Sequence, residues 1–109
     1  MERSDNEGVT VNHPSLELVF GARKALKDQA DNRPFADKVV VVDYTNYRGD
    51  RAWRLLSPHN FTFAKTQYHP RDQFLFAAFD LIKGEERTFA MEGVHAWLSI
   101  EDFVKKYDL

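Results

Sequence analysis

Cysteine is absent from this chain of 109 residues. Its absence excludes disulfide cross-links and zinc sites that are built on thiolates. No apolar run approaches the roughly 20 residues that a helix needs to cross a bilayer. The N-terminus is polar and unlike a signal peptide. We therefore expect a cytoplasmic protein without membrane association.

Glycine is scarce, with five residues that nowhere cluster. The sequence has neither the glycine-rich loop that grips phosphate in nucleotide hydrolases nor the Gly-x-Ser-x-Gly turn of serine hydrolases. The four histidines form no HxH, HxxxH or HExxH pair. His59 and His69 would meet across a hairpin, but a metal site there would still need carboxylates. We therefore expect no enzyme activity, no cofactor and no metal.

Hydrophobic residues, in contrast, are ample for one folded domain, at 43% of the chain with 14% aromatic. The net charge is 15 − 17 = −2, which gives no general attraction to nucleic acid. Residues 44–87 are locally basic, with seven basic and five acidic side chains, so 7 − 5 = +2. Residues 1–12 lack periodicity and are predicted to be a flexible tail, followed by a single domain over residues 13–109.

A helix is predicted at each end of the domain. The first follows Pro14, with Ser15 or His13 near its cap, and runs for about 12–15 residues. The second is short, opens at a capping box over residues 99–102 and ends near Lys106. Apolar residues at helical spacing mark the first helix: Leu16, Val19, Phe20 and Leu26.

Five extended segments lie between the helices, each apolar or β-branched and bounded by turn signals. Pro58 is predicted to interrupt the second strand or to lie at an edge or bulge. The third strand is continuously apolar from Phe74 to Phe79, as in a strand buried on both faces. The predicted fold class is mainly β with flanking helices. The segments are 38–45, 51–56 with an extension through 61–64, 73–79, 87–91 and 94–98.

The order and spacing of these segments, from about Val39 to Leu98, resemble the WYL domain family. The family's Trp-Tyr-Leu triplet falls on Phe74, Leu75 and Phe76, so only its hydrophobic character is kept. The resemblance implies a five-stranded barrel similar to the Sm and SH3 folds, in a stand-alone form without a helix-turn-helix. The landmarks are Val42-Asp43-Tyr44, Arg48-Gly49-Asp50, Arg54, Pro58, the strand Phe74–Asp80, and Arg87-Thr88-Phe89.

The family resemblance also implies a non-enzymatic, regulatory or ligand-sensing module that binds nucleic acid or a nucleotide-like anionic ligand. By position, Arg54 and Arg87 are the matching basic residues. Arginine suits phosphate because its guanidinium group donates two parallel hydrogen bonds. We add Arg71 as a third phosphate ligand and Tyr68 and His69 as residues that shape the rim.

Each candidate also has a purely structural interpretation. Arg87 would pair with one of the nearby acidic residues, Arg54 would lie on a solvated strand face, and His69 would hold its loop by bonding the backbone. A base would stack on Tyr44, Tyr47 or Trp53, or these rings would pack in the core. Trp97 is expected in the core. A different function also stays open, a protein-interaction or oligomerisation module, because small barrels have strand edges that pair between chains.

Overall fold

The computed structural model describes residues 13–31, 38–65 and 71–107. The predicted fold class is confirmed, because a helix, five strands and a short helix follow one another in the expected order. The tail predicted for residues 1–12 lies outside the described residues, and among those described no helix is long and apolar enough to span a membrane. The elements are α1 (Leu16–Ala30), β1 (Val40–Thr45), β2 (Arg51–Ala64), β3 (Gln73–Asp80), β4 (Glu85–Ala90), a 3-10 turn (Met91–Gly93), β5 (Val94–Ser99) and α2 (Ile100–Lys106).

Both helices begin at the predicted serine caps. The hydroxyl of Ser15 accepts a hydrogen bond from the N–H of Leu18 at 3.2 Å, and that of Ser99 accepts one from Asp102 at 3.1 Å. Each bond satisfies an N–H that has no partner within the first turn of its helix. The caps therefore set where the helices start. The sequence predicted Ser99, and the structure decides for Ser15 over His13 at the first helix.

The buried face of α1 differs from the predicted one. Leu16 and Phe20 are 59% and 57% exposed. The helix instead packs on the sheet through a face that includes Ala22 and Ala25, whose short side chains allow close approach. Alanine contributes little to a hydrophobic pattern. The prediction of the buried face therefore relied on the larger residues Leu16 and Phe20, which are exposed. The buried positions are Leu18, Val19, Ala22 and Ala25.

The five strands form one antiparallel sheet in the order β4-β3-β2-β1-β5. Strand β2 is shared between two ladders, because it pairs with β1 from Arg51 to Leu56 and with β3 from Leu56 to Ala64. The register of the second ladder shifts between Pro58 and Asn60. Pro58 therefore lies at a bulge, as predicted, and the strand continues through it.

The sheet curls so strongly that β3 and β5, which are separated by two strands, contact each other across the concave face. The ring centroids of Trp97 on β5 and Phe76 on β3 lie 5.3 Å apart. In a flat sheet these strands would be separated by about 14 Å. Among the described residues no ladder joins β4 to β5, so the curled sheet is open between them and the barrel that the resemblance implies is not closed.

Two cores lie on opposite faces of this sheet, because neighbouring strand residues point to opposite sides. On the convex side, Val41 and Leu55 pack against α1 and against Phe103 of α2. The concave core contains the next residue of each strand, Val42 and Leu56. Its members are Val42, Tyr44, Leu56, Phe76, Ala78 and Phe89.

The third strand is less buried than its apolar sequence predicted. Leu75, Phe76 and Ala78 are buried, but Phe74 is 63% exposed and Phe79 is 39% exposed. Phe74 lies opposite Phe63 in the ladder, where β2 and β3 extend past the end of β1. The interpretation of the whole segment as core is therefore wrong at Phe74 and Phe79.

Gly93 allows the turn after β4 to pack tightly against β1. A Cβ atom at this position would lie 2.5 Å from the carbonyl oxygen of Thr45 and 2.7 Å from the ring of Tyr44.

We expect Gly93→Ala to lower the free energy of unfolding by about 2 kcal/mol through overpacking, measured by urea denaturation. Gly21→Ala is the control, since its Cβ would meet only the side-chain ends of Ile82 and Leu55. Equal stability of both variants would contradict this account.

Candidate arginine site

The ladder register places Arg54 and Arg87 on the same face of the sheet. Arg54 lies opposite Val42 on β1, and Arg87 lies opposite Ala78 on β3. Both partners belong to the concave core. Because residues opposite one another in a ladder point to the same side, both arginines are on the concave face, on either side of β3.

Arg54 is largely buried, which corrects its interpretation as a residue on a solvated strand face. Its side chain is only 11% exposed, and its Nη1 lies 3.8 Å from Oδ2 of Asp80. Its Nε is buried and has no hydrogen-bond partner among the described residues. Arg54 and Asp80 also border a pocket of about 150 Å³, but its other residues include Leu18, Trp53 and Leu55 of the convex side, so this pocket is not on the concave face. The guanidinium group is therefore desolvated but incompletely paired.

Asp80 is held in place by the turn that it opens. Its Oδ1 accepts hydrogen bonds from the N–H groups of Ile82 and Lys83, both at 3.0 Å. This is the local bonding that aspartate favours at the start of a turn. With its side chain only 2% exposed, Asp80 is a fixed negative charge beside Arg54. Asp80 is one of three acidic residues close to Arg87 in the sequence, with Glu85 and Glu86, but the structure places it beside Arg54.

Arg87 is paired with an acidic neighbour, as its structural interpretation predicted. Its Nη1 donates to Oε1 of Glu85 at 2.9 Å. The two side chains are 39% and 54% exposed. Exposed ion pairs of this kind contribute at most about 1 kcal/mol to stability. A competing anion can therefore replace Glu85 at low cost.

Arg71 lies at the other end of β3 and forms an ion pair with Glu92. Ala78, which faces Arg87, is about 23 Å along the strand from position 71 at roughly 3.3 Å per residue. The structure therefore places Arg54 and Arg87 on one face near the same end of β3 and leaves Arg71 at the other end. Tyr68 and His69, the other two candidates, lie outside the described residues.

Two of the three aromatic residues considered for base stacking pack against the cores of the described structure. Trp53 packs on the convex side, with its ring 5.4 Å from Phe103 and 5.8 Å from Tyr107. Tyr44 is buried in the concave core. Trp97, expected in the core, is 37% exposed. Tyr44 and Trp53 therefore contribute to packing, whereas Tyr47, the third candidate, is 56% exposed.

His59 pairs with Glu86 rather than with a second histidine of the described chain. Its Nε2 lies 2.7 Å from Oε1 of Glu86. Within residues 13–31, 38–65 and 71–107, no three His, Asp or Glu side chains come close enough together to hold a metal ion. His69, the partner considered from the sequence, lies outside these ranges.

Compared with known proteins, the chain matches no family model and no curated protein. The WYL resemblance therefore remains an expectation drawn from its own residues.

Tyr44 connects the concave core to β4. Its hydroxyl accepts a hydrogen bond from the N–H of Ala90 at 2.8 Å, and its ring centroid lies 5.0 Å from that of Phe89. Burial raises the pKa of Tyr44 above its ordinary value of 10.0, while the bond from Ala90 and the charge of Arg54 act in the opposite direction. The folded protein therefore holds the Tyr44 proton more tightly than the unfolded chain does.

Stability should accordingly fall as the pH rises above 10. The contribution of Tyr44 to the free energy of unfolding is fully present below the unfolded pKa of about 10 and is lost as the pH rises through the higher folded pKa.

We expect Tyr44→Phe to be less stable by about 1–3 kcal/mol at pH 7, because the buried N–H of Ala90 loses its acceptor. Above pH 10 its stability should fall less steeply than that of the wild type, although burial also raises the pKa of Tyr107. Urea denaturation between pH 8 and 11 measures both effects, and identical slopes would refute the assignment.

Proposed function

We propose that this chain is a non-enzymatic regulatory module of the WYL type. It binds a nucleotide-like anionic ligand on the concave face of its sheet, with Arg54 and Arg87 holding phosphate. One observation carries the proposal, namely the register that puts both arginines on the same face on either side of β3. The order of the elements, a helix followed by five strands with a 3-10 turn before the last, supports the family assignment.

Arg54 supplies a donor that lacks an acceptor. A buried donor without a partner costs about 1–3 kcal/mol, and the Nε of Arg54 is such a donor among the described residues. A phosphate oxygen that reaches the Nε of Arg54 from the concave face recovers this cost. Asp80 keeps the guanidinium group oriented, because its own carboxylate is fixed by the turn.

Arg87 supplies an exchangeable contact. Its present partner Glu85 is more than half exposed, so separating the two costs little. A phosphate accepts two parallel hydrogen bonds from one guanidinium group and is a stronger partner than a solvated carboxylate. Ligand binding is thus an exchange of Glu85 for phosphate at Arg87, combined with new bonding at Arg54.

This exchange predicts opposite effects for two neighbouring substitutions. Arg87→Gln should weaken binding about tenfold or more, since a charge-assisted hydrogen bond is lost. Glu85→Gln should strengthen binding, because it removes the competing carboxylate. Isothermal titration with nucleoside phosphates, cyclic nucleotides and short single-stranded oligonucleotides measures both, and the probe that binds best identifies the ligand class.

Two arginines serve as matched controls. Arg48, at the tip of the β1–β2 hairpin, and Arg71 both have an acidic neighbour. The variants Arg48→Gln and Arg71→Gln should therefore bind like the wild type.

The affinity should fall as the salt concentration rises. The slope of log affinity against log salt should be shallower for Arg87→Gln, by about the value of one phosphate contact. Arg54→Gln should also lose binding, provided that circular dichroism shows it folded. The proposal is wrong if no probe binds, or if Arg87→Gln binds as well as the parent.

A further inference from the structure

Strand β2 has an edge that no other strand of the described chain covers. β1 accompanies β2 only as far as Leu56, whereas β2 continues beyond the bulge to Ala64 with β3 on its other side. We call the segment Asn60–Ala64 the free edge. The unpaired backbone groups of such an edge are a template for a further strand.

The other two edges of the sheet are less suited to pairing. β4 carries Glu85, Glu86 and Arg87 in succession, and charged residues protect an edge strand from association. β5 lies across the opening of the curl, with its Trp97 against Phe76 of β3. The free edge has no charged residue between Asn60 and Ala64.

An exposed aromatic surface lies beside the free edge. It consists of Phe61, Phe63, Phe74 and Trp97, which are 58%, 59%, 63% and 37% exposed. The ring centroids of Phe63 and Phe74 lie 5.0 Å apart, and those of Phe61 and Trp97 lie 6.3 Å apart. Their exposed area is about 400 Å² at roughly 200 Å² per fully exposed ring. An apolar patch of this size is typical of an interaction surface.

We propose that the partner for this surface is a second copy of the chain, which pairs antiparallel along the free edge. An antiparallel pair of identical strands is symmetric about a twofold axis, so the edge is complementary to itself. An axis at Thr62, the centre of the free edge, places Phe61 of each copy opposite Phe63 of the other. Cross-strand aromatic pairs stabilise antiparallel ladders.

The size of the combined surface fits a weak or moderate dimer. Two aromatic surfaces together offer about 800 Å², and the paired backbones bring the total toward the roughly 1,000–1,200 Å² at the lower end for specific interfaces. Arg87 lies opposite Ala78, and Arg54 lies diagonal to Asp80. Both arginines are thus near the end of β3 that is far from Phe74. Dimerisation therefore leaves the arginine site open, and the two proposals stand or fall separately.

Sedimentation velocity over a series of protein concentrations tests the dimer. The wild type should dimerise, and Phe63→Glu should raise the dissociation constant on the order of 100-fold, because a buried ring is replaced by a charge. Phe20→Glu is the matched control, since Phe20 is equally exposed at 57% but lies on α1. A wild type that is monomeric throughout overturns the proposal, as does a dimer that Phe63→Glu leaves intact while circular dichroism shows the variant folded.

A single cysteine tests the register, because the native chain contains none. The twofold axis brings the Cα atoms of the two Thr62 residues within about 4.5–5.5 Å, which a disulfide can span. Thr62→Cys should therefore form a covalent dimer under mild oxidation, visible by non-reducing electrophoresis. Thr88→Cys, an exposed position on β4, should stay monomeric. Cross-linking through position 88 but not through position 62 would assign the interface to β4 and overturn the proposal.

Discussion

The shared strand β2 is the constraint on which the rest of the structure depends. Its first part pairs with β1 and its second part with β3, so the two halves of the sheet are displaced along its length. The bulge between Pro58 and Asn60 bends the strand where the two ladders meet. This bend lets Tyr44 and Trp97 reach Phe89 and Phe76 across the concave face. The displacement also leaves the second part of β2 with no neighbouring strand on one side among the described residues.

The two ends of the curled sheet differ in chemistry as a consequence. At one end, Arg54, Asp80, Glu85 and Arg87 lie on a common face, where charges alternate in sign and one guanidinium group is mostly removed from water. At the other end, aromatic rings are exposed beside an uncharged strand edge. The ligand binding and the self-association that we propose would therefore use separate surfaces and different residues.

Local patterns predicted the elements well, because each element is specified by neighbours in the chain. Serine caps, β-branched runs and turn residues at Asn46, Gly49 and Gly84 act over a few residues, and the structure has helices and strands where they were expected. Pro58 was correctly associated with a bulge for the same reason, since its missing N–H is a local property.

The exposure of side chains was predicted less well than the elements. Phe20, Phe74 and Trp97 were assigned to the core from their hydrophobicity alone, but burial depends on whether another element covers them.

The sequence by itself determined the fold class, the helix caps, the turns and the presence of several arginines in the middle of the chain. The tertiary structure decided which arginines share a face and an end of the sheet. Arg54 and Arg87 do so because of the ladder register, whereas Arg71 lies at the far end of β3 because of the length of that strand. Register and strand overlap result from pairing between segments far apart in the chain, so no local pattern encodes them. For the same reason, only the tertiary structure shows that β1 ends before β2 does and leaves the aromatic surface exposed.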